Sequence, residues 1–164
     1  MAIDRSVNAP YTEADAITKT VYYMGTDEVK VGEPFVYTVA AGTATDYDGR
    51  RHNQVDRPKA EGDVFAGVAT RNYPAADAGQ GRLIEIACPG SKGVKIRINA
   101  GIDIGDRAMF CYKASTGSKL WKESATALSS GTIGMAVCRQ TVTAAGLVQA
   151  DLVDGAYAVG QSES

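Results

Sequence analysis

The chain has 164 residues, 45% of them hydrophobic, with 17 basic and 19 acidic side chains and a formal net charge of −2. That length gives one domain whose core needs no disulfide or metal staple. A weakly acidic chain lacks the cation surplus that general nucleic-acid binding demands, and no apolar run approaches the roughly 18 residues of a membrane span.

Met1 is not followed by a charged-then-apolar leader, so the protein is expected to be soluble and made in a cytoplasm. Cys88, Cys111 and Cys138 lie far apart and form no C-x-x-C pair, which reads as reduced thiols serving as small core hydrophobes. The one histidine, His52, stands in a polar stretch, so no metal site is expected.

Residues 1–28 read as an extended N-terminal arm. This segment runs through Asn8-Ala9-Pro10-Tyr11 to Thr20-Val21-Tyr22-Tyr23-Met24, and Val21 to Met24 is expected to pair somewhere as a strand. Ordering twenty such residues costs roughly 20–40 kcal/mol of backbone entropy. Contacts with the body or with a partner must offset that cost.

Residues 29–157 read as a β domain. Phe35 to Val39 is rich in aromatic and branched residues. Ile84 and Ile86 flank Glu85, and Val94, Ile96 and Ile98 alternate with Lys95, Arg97 and Asn99. That pattern gives one buried and one wet face, as in an antiparallel sheet. Further runs alternate at Ala108, Phe110 and Tyr112, at Ile133, Met135 and Val137, and at Val148, Ala150 and Leu152. Gly-rich turns at Pro89–Gly93 and Ser115–Lys119 read as hairpin connections. The fold class is all-β: a small antiparallel β-barrel or sandwich with the arm, a long loop insertion over residues 43–62 and a polar tail over residues 158–164.

The chemistry-bearing patterns are absent. There is no G-x-S-x-G elbow, no Walker-type loop and no H-E-x-x-H. A Ser-His-acid triad could use only His52, whose neighbours Arg50 and Arg51 disfavour the imidazolium a triad must form. Glu33, Asp63 and Asp106 stand at turns, where a carboxylate accepts backbone N–H bonds. No catalytic residue, cofactor or metal is expected.

Interface candidates come from two features. Arg50, Arg51, His52 and Arg57 concentrate positive charge in a net-negative chain. They suit either a solvated loop paired to Asp46, Asp48 and Asp56, or a docking loop whose guanidinium forks meet acidic groups of a neighbour. Tyrosines number eight against three phenylalanines, with Tyr11, Tyr22, Tyr23, Tyr47 and Tyr73 in the arm and loops. Such rings serve interfaces or cover a barrel's own ends; Tyr11, Tyr22, Tyr23 and Tyr47 join the candidates.

Four short motifs occur in order: Val31-Gly32-Glu33-Pro34-Phe35, Phe65-Ala66-Gly67-Val68-Ala69, Ile104-Gly105-Asp106-Arg107-Ala108 and Ile133-Gly134-Met135-Ala136. Over about Val31 to Asp154 this order resembles the tailed-phage capsid decoration (cement) proteins, a family of small Ala/Gly-rich β-barrels. The resemblance implies a non-enzymatic protein made in the host bacterium and carried on the capsid surface. Its partners would be the major capsid protein and itself, as a trimer, with no direct nucleic-acid or membrane contact. The alternatives are a glycan- or host-surface-binding module of a virion fibre or spike, for which Trp121 is the candidate platform, and a small hydrolase with an atypical site.

Overall fold

The computed structural model describes residues 15–23, 25–38, 53–58, 63–77, 81–111, 122–124 and 132–153, and at 109–111, 122–124 and 132–133 it describes the backbone alone. Ten strands are present among the described residues: β1 (Thr18–Tyr23), β2 (Pro34–Tyr37), β3 (Gln54–Asp56), β4 (Val64–Ala69), β5 (Arg82–Ala87), β6 (Val94–Ile98), β7 (Arg107–Cys111), β8 (Lys122–Ser124), β9 (Thr132–Cys138) and β10 (Gly146–Leu152). The all-β class is as the alternation predicts. The first five strands close a barrel in the order β1-β3-β2-β4-β5, and the last five form a sheet in the order β6-β10-β9-β7-β8.

Two cores result. Inside the barrel lie Val21, Tyr23, Val29, Phe35, Val55, Ala66, Ala69, Ile84 and Ile86. The second core is shared: Val36, Phe65, Val68 and Ala87 on the outside of the barrel meet Val94, Ile96, Ile98, Ala136, Cys138, Val148, Ala150 and Leu152 of the sheet. Each fully buried aliphatic side chain contributes about 1.5–3 kcal/mol, so the sheet is fixed to the barrel by a real core. Cys138 is buried in the second core and forms no disulfide among the described residues, as expected of a small core thiol.

A β-bulge lets one strand serve both cores. Phe35 opposes Gly67 and Val36 opposes Phe65, leaving Ala66 as the extra residue. The bulge sends Phe65 and Val68 toward the sheet while Ala66 and Ala69 point inward. Gly67 adopts φ 151°, and a Cβ there would stand 2.3 Å from the Ala87 carbonyl oxygen. The Phe65-Ala66-Gly67-Val68-Ala69 motif is therefore a strand that changes face halfway along its length.

Three expectations change. The segment read as an arm supplies β1, a barrel strand. β1 pairs antiparallel with β5 over six residues and parallel with β3, and Val21 and Tyr23 are buried in the barrel. The insertion over residues 43–62 likewise holds β3, placed between β1 and β2. Among the described residues the β1–β3 pair is the parallel exception in a structure otherwise paired antiparallel. Finally, the Pro89–Gly93 turn does not close a hairpin: β5 belongs to the barrel and β6 to the sheet, so this turn is where the chain changes layers.

That crossing is well anchored. Asp15 and Lys92 exchange backbone hydrogen bonds at 3.0 and 2.9 Å, and Gly90 N–H donates to Leu152 at 3.0 Å while Leu152 N–H donates to Ser91 at 2.9 Å. The β7–β8 pairing is the hairpin expected around Ser115–Lys119; the turn residues themselves lie outside the described residues.

Candidate functional site

One end of the barrel is closed by charge. Tyr23 ends β1, Arg82 begins β5, and Arg57 follows β3 directly. The β1–β2 connection brings Asp27, Glu28 and Glu33 over the same opening. The Arg57 guanidinium lies 2.7 Å from Glu33 Oε2 and 3.4 Å from Asp27 Oδ2, and donates to the Glu28 carbonyl at 3.0 Å. Tyr23 OH donates to Asp27 Oδ1 at 2.5 Å, and Arg82 donates to the Asp27 carbonyl. Glu33 also accepts the Lys30 N–H at 2.9 Å, the turn role expected of it.

Aromatic rings complete the cluster. Tyr23 and Phe35 meet edge to face, centroids 5.1 Å apart at 76°. The Arg57 guanidinium stands 4.8 Å over the Phe35 ring, and that of Arg82 5.5 Å over Tyr23. Among the described residues the buried Nε atoms of both arginines have no hydrogen-bond partner. The negative face of each ring gives those guanidiniums the electrostatic compensation that water would otherwise supply.

The titration of the cluster follows from burial. Desolvation and then the hydrogen bond to Asp27 push the Tyr23 phenol well above its usual range, against the opposing pull of Arg57. Burial acts to lower Arg57, but the neighbouring Glu33 charge and then Tyr23 more than offset it, so its pKa is raised. Arg57 stays charged and Tyr23 stays neutral throughout the physiological range. A neutral phenol and a charged guanidinium held so firmly suit the bracing of a barrel end.

Tyr23 and Arg57, both named as interface candidates, are thus internal to the barrel, with Arg57 fully enclosed. Tyr22 faces the other way. It opposes Leu83 on the outer surface of β1 and β5, where Leu83 is 65% exposed. Tyr11, Tyr47, Arg50, Arg51, His52 and Trp121 lie outside the described residues. Tyr73 covers the barrel end: its backbone pairs with Val29, and its hydroxyl accepts the Glu85 N–H at 2.7 Å. Asp27 and Arg82 carry the cluster without having been singled out from sequence; the only signal was their polarity beside β-type runs.

Elsewhere the described surface offers little concentrated chemistry. No group of three or more His, Cys, Asp and Glu side chains that could hold a metal occurs among the described residues. Burial raises the Cys88 thiol, against a smaller lowering by Lys19, which leaves it a poor nucleophile. No helix among the described residues is long and apolar enough to cross a membrane.

No family model matches the chain, and no curated protein matches it. Among solved structures the chain is similar to the N base of the head fibre gp8.5 of bacteriophage phi29. The TM-score is 0.50 at 12% sequence identity, over 84% of this chain and 95% of that one. At that identity the likeness is one of fold.

Proposed function

We propose that this chain is a non-enzymatic structural protein of a bacteriophage virion, which binds the outside of an assembled head and stabilises it by bridging neighbouring major capsid subunits. The observation that carries the reading is the likeness of its fold, across nearly the whole of a solved domain, to the base of a phage head fibre. The order of its four Gly-centred motifs supports the same class, through their resemblance to capsid decoration proteins.

The physical mechanism is multivalency. A closed barrel fused to a sheet through a common core is a stiff body. Three such bodies joined as a trimer would each make a weak contact with the shell. Linking them raises avidity by orders of magnitude, on the order of 10²–10⁴, without any one contact being tight. Such a joint resists internal DNA pressure because its contacts must break together.

The test is co-sedimentation with expanded empty heads assembled from the major capsid gene of the same genome. Binding at a defined number of copies per capsomer, with raised thermal stability of the heads, is the expected result. The role of the leading segment is tested by deleting residues 1–14. That deletion stops short of β1 and of the Asp15–Lys92 pairing; removing residues 1–26 would destroy the barrel and test nothing. Full binding by the shortened protein would refute bridging by the arm, and absence of binding by the intact protein would refute the capsid role.

A second reading is a module of a virion fibre that binds a glycan or a host surface, favoured by the neighbour being the base of a fibre. A glycan array separates the two: selective sugar binding together with no affinity for heads supports the fibre module.

A further inference from the structure

Alternation along the second sheet separates its two faces by charge. The inward positions are the apolar residues of the shared core. The outward positions fall into adjacent rows set by the strand register. Arg107, Val137 and Asp151 form one row. Arg139, Gln149 and Lys95 form the next, Arg139 N–H donating to the Gln149 carbonyl at 2.7 Å. Leu147 and Arg97 form the third. Neighbouring strands stand about 4.8 Å apart and successive outward residues about 6.6 Å, so the rows make a continuous patch.

Four cations and one carboxylate occupy those positions. The carboxylate is already committed: Asp151 Oδ1 lies 2.6 Å from Arg139 Nε and accepts the Gly93 N–H at 2.8 Å. Arg97 is held at the edge, its Nε donating to the Val31 carbonyl at 3.3 Å. Lys95 and Arg107 are exposed, and neither has an ion-pair partner among the described residues. A face of net +3 in a chain of net −2 is a local reversal of sign, and it lies on a rigid sheet rather than a loop.

We infer that this outward face is a docking surface for an acidic protein surface. Charge complementarity names the partner's sign. The half-buried Val137 and Leu147 between the cations favour a protein, which can present apolar groups beside carboxylates. Nucleic acid is disfavoured: the described residues of the face carry no aromatic ring for stacking, and the first row sets a carboxylate, Asp151, among the cations. The face would take such a partner whether or not that partner is a shell subunit.

The experiment uses fluorescently labelled poly-L-glutamate as the probe, with the full chain, by anisotropy at low salt and at about 0.15 M salt, where the Debye length is about 8 Å. The Lys95→Glu/Arg107→Glu variant is compared with Lys30→Glu/Arg71→Glu, which makes the same charge change on the barrel. Thermal melts confirm that both fold. The sheet variant is expected to lose at least tenfold in affinity and the barrel variant less than threefold, with binding weakened by salt. Equal losses in both variants would reduce the effect to net charge and overturn the inference. So would a failure of the intact chain to bind the probe, or tighter binding to a 20-base-pair DNA duplex than to poly-L-glutamate.

Discussion

Arg57 and Glu33 meet at 2.7 Å inside the barrel end, with side chains only 5% and 6% exposed. They come from the residue after β3 and the residue before β2, adjacent strands of the barrel, so their ion pair clamps the insertion to the body. Removing one partner of such a pair strands the other charge, which costs about 3–5 kcal/mol. Arg57→Ala is therefore expected to lose a large share of the stability of a domain this size, typically about 5–15 kcal/mol. In the double variant Arg57→Met/Glu33→Gln neither member of the buried pair is left charged, the part-exposed Asp27 keeps its Tyr23 hydrogen bond, and the glutamine amide oxygen can still accept the Lys30 N–H. The loss in the double variant should be clearly smaller than the sum of the single losses. Urea unfolding of the single variants and the double variant checks it; strict additivity would mean that the pair is not coupled.

The Tyr23 phenol makes a prediction at high pH. Its pKa in the folded protein is raised above its usual value of 10.0. A group raised on folding adds stability that is fully present below the unfolded pKa, and that stability is lost as pH rises toward the folded value. Stability should therefore begin to fall above about pH 10, as the unfolded chain releases the proton that the folded chain keeps. Tyr23→Phe loses the hydrogen bond to the Asp27 carboxylate, about 1.5–3 kcal/mol near neutrality, but should show a shallower decline between about pH 10 and 11.5. Equal slopes for the two proteins would remove Tyr23 from the alkaline transition.

In the second sheet β6 and β10 were legible because each has a full period-2 pattern with its apolar set inward. Val94, Ile96 and Ile98 are buried, Lys95 is exposed and Arg97 is half-buried. On β9 the alternation was read on the wrong face: Ala136 and Cys138 enter the core, while Val137 of the expected run is outward and half-buried. β8, Lys122–Ser124, has no apolar residue to mark it. A strand was expected over Val21 to Met24 and appears as β1, but its membership of the barrel was not legible: the polar run Thr18, Lys19 and Thr20 leaves only Val21 and Tyr23 to mark a buried face, so the segment read as an arm. β3 has a single apolar residue, Val55, between Gln54 and Asp56, and no sequence pattern marks a strand that short. The charged cluster was invisible for another reason. Asp27, Glu33, Arg57 and Arg82 are distant in sequence and meet only because β1 and β5 pair to close the barrel.

Two glycines separate steric need from conformational need. Gly67 has φ 151° and its added Cβ would stand 2.3 Å from a backbone oxygen. Gly105 has φ 86° with nothing within 4 Å of an added Cβ. Gly105→Ala should lose only the backbone preference, on the order of 1 kcal/mol. Gly67→Ala must also displace β4 from β5 at the bulge that feeds both cores, and is expected to cost more than about 3 kcal/mol or to prevent folding. Thermal melts rank the two; a Gly67→Ala protein as stable as Gly105→Ala would show that the bulge can relax.

Ser91 is where the two layers and the start of the described chain are tied together. It is fully buried; its Oγ accepts the Ile17 N–H at 3.0 Å and donates to the Ile17 carbonyl at 3.4 Å. Its own carbonyl accepts the Leu152 N–H at 2.9 Å. Ser91→Ala leaves the backbone bonds but strands the Ile17 N–H, a penalty of about 1–3 kcal/mol. The loss should be local. Hydrogen exchange should quicken at Ile17, while amides inside β9 and β10 keep their protection relative to global stability. Uniform loss of protection across both layers would instead mean that Ser91 supports the whole fold, and that barrel and sheet cannot loosen separately.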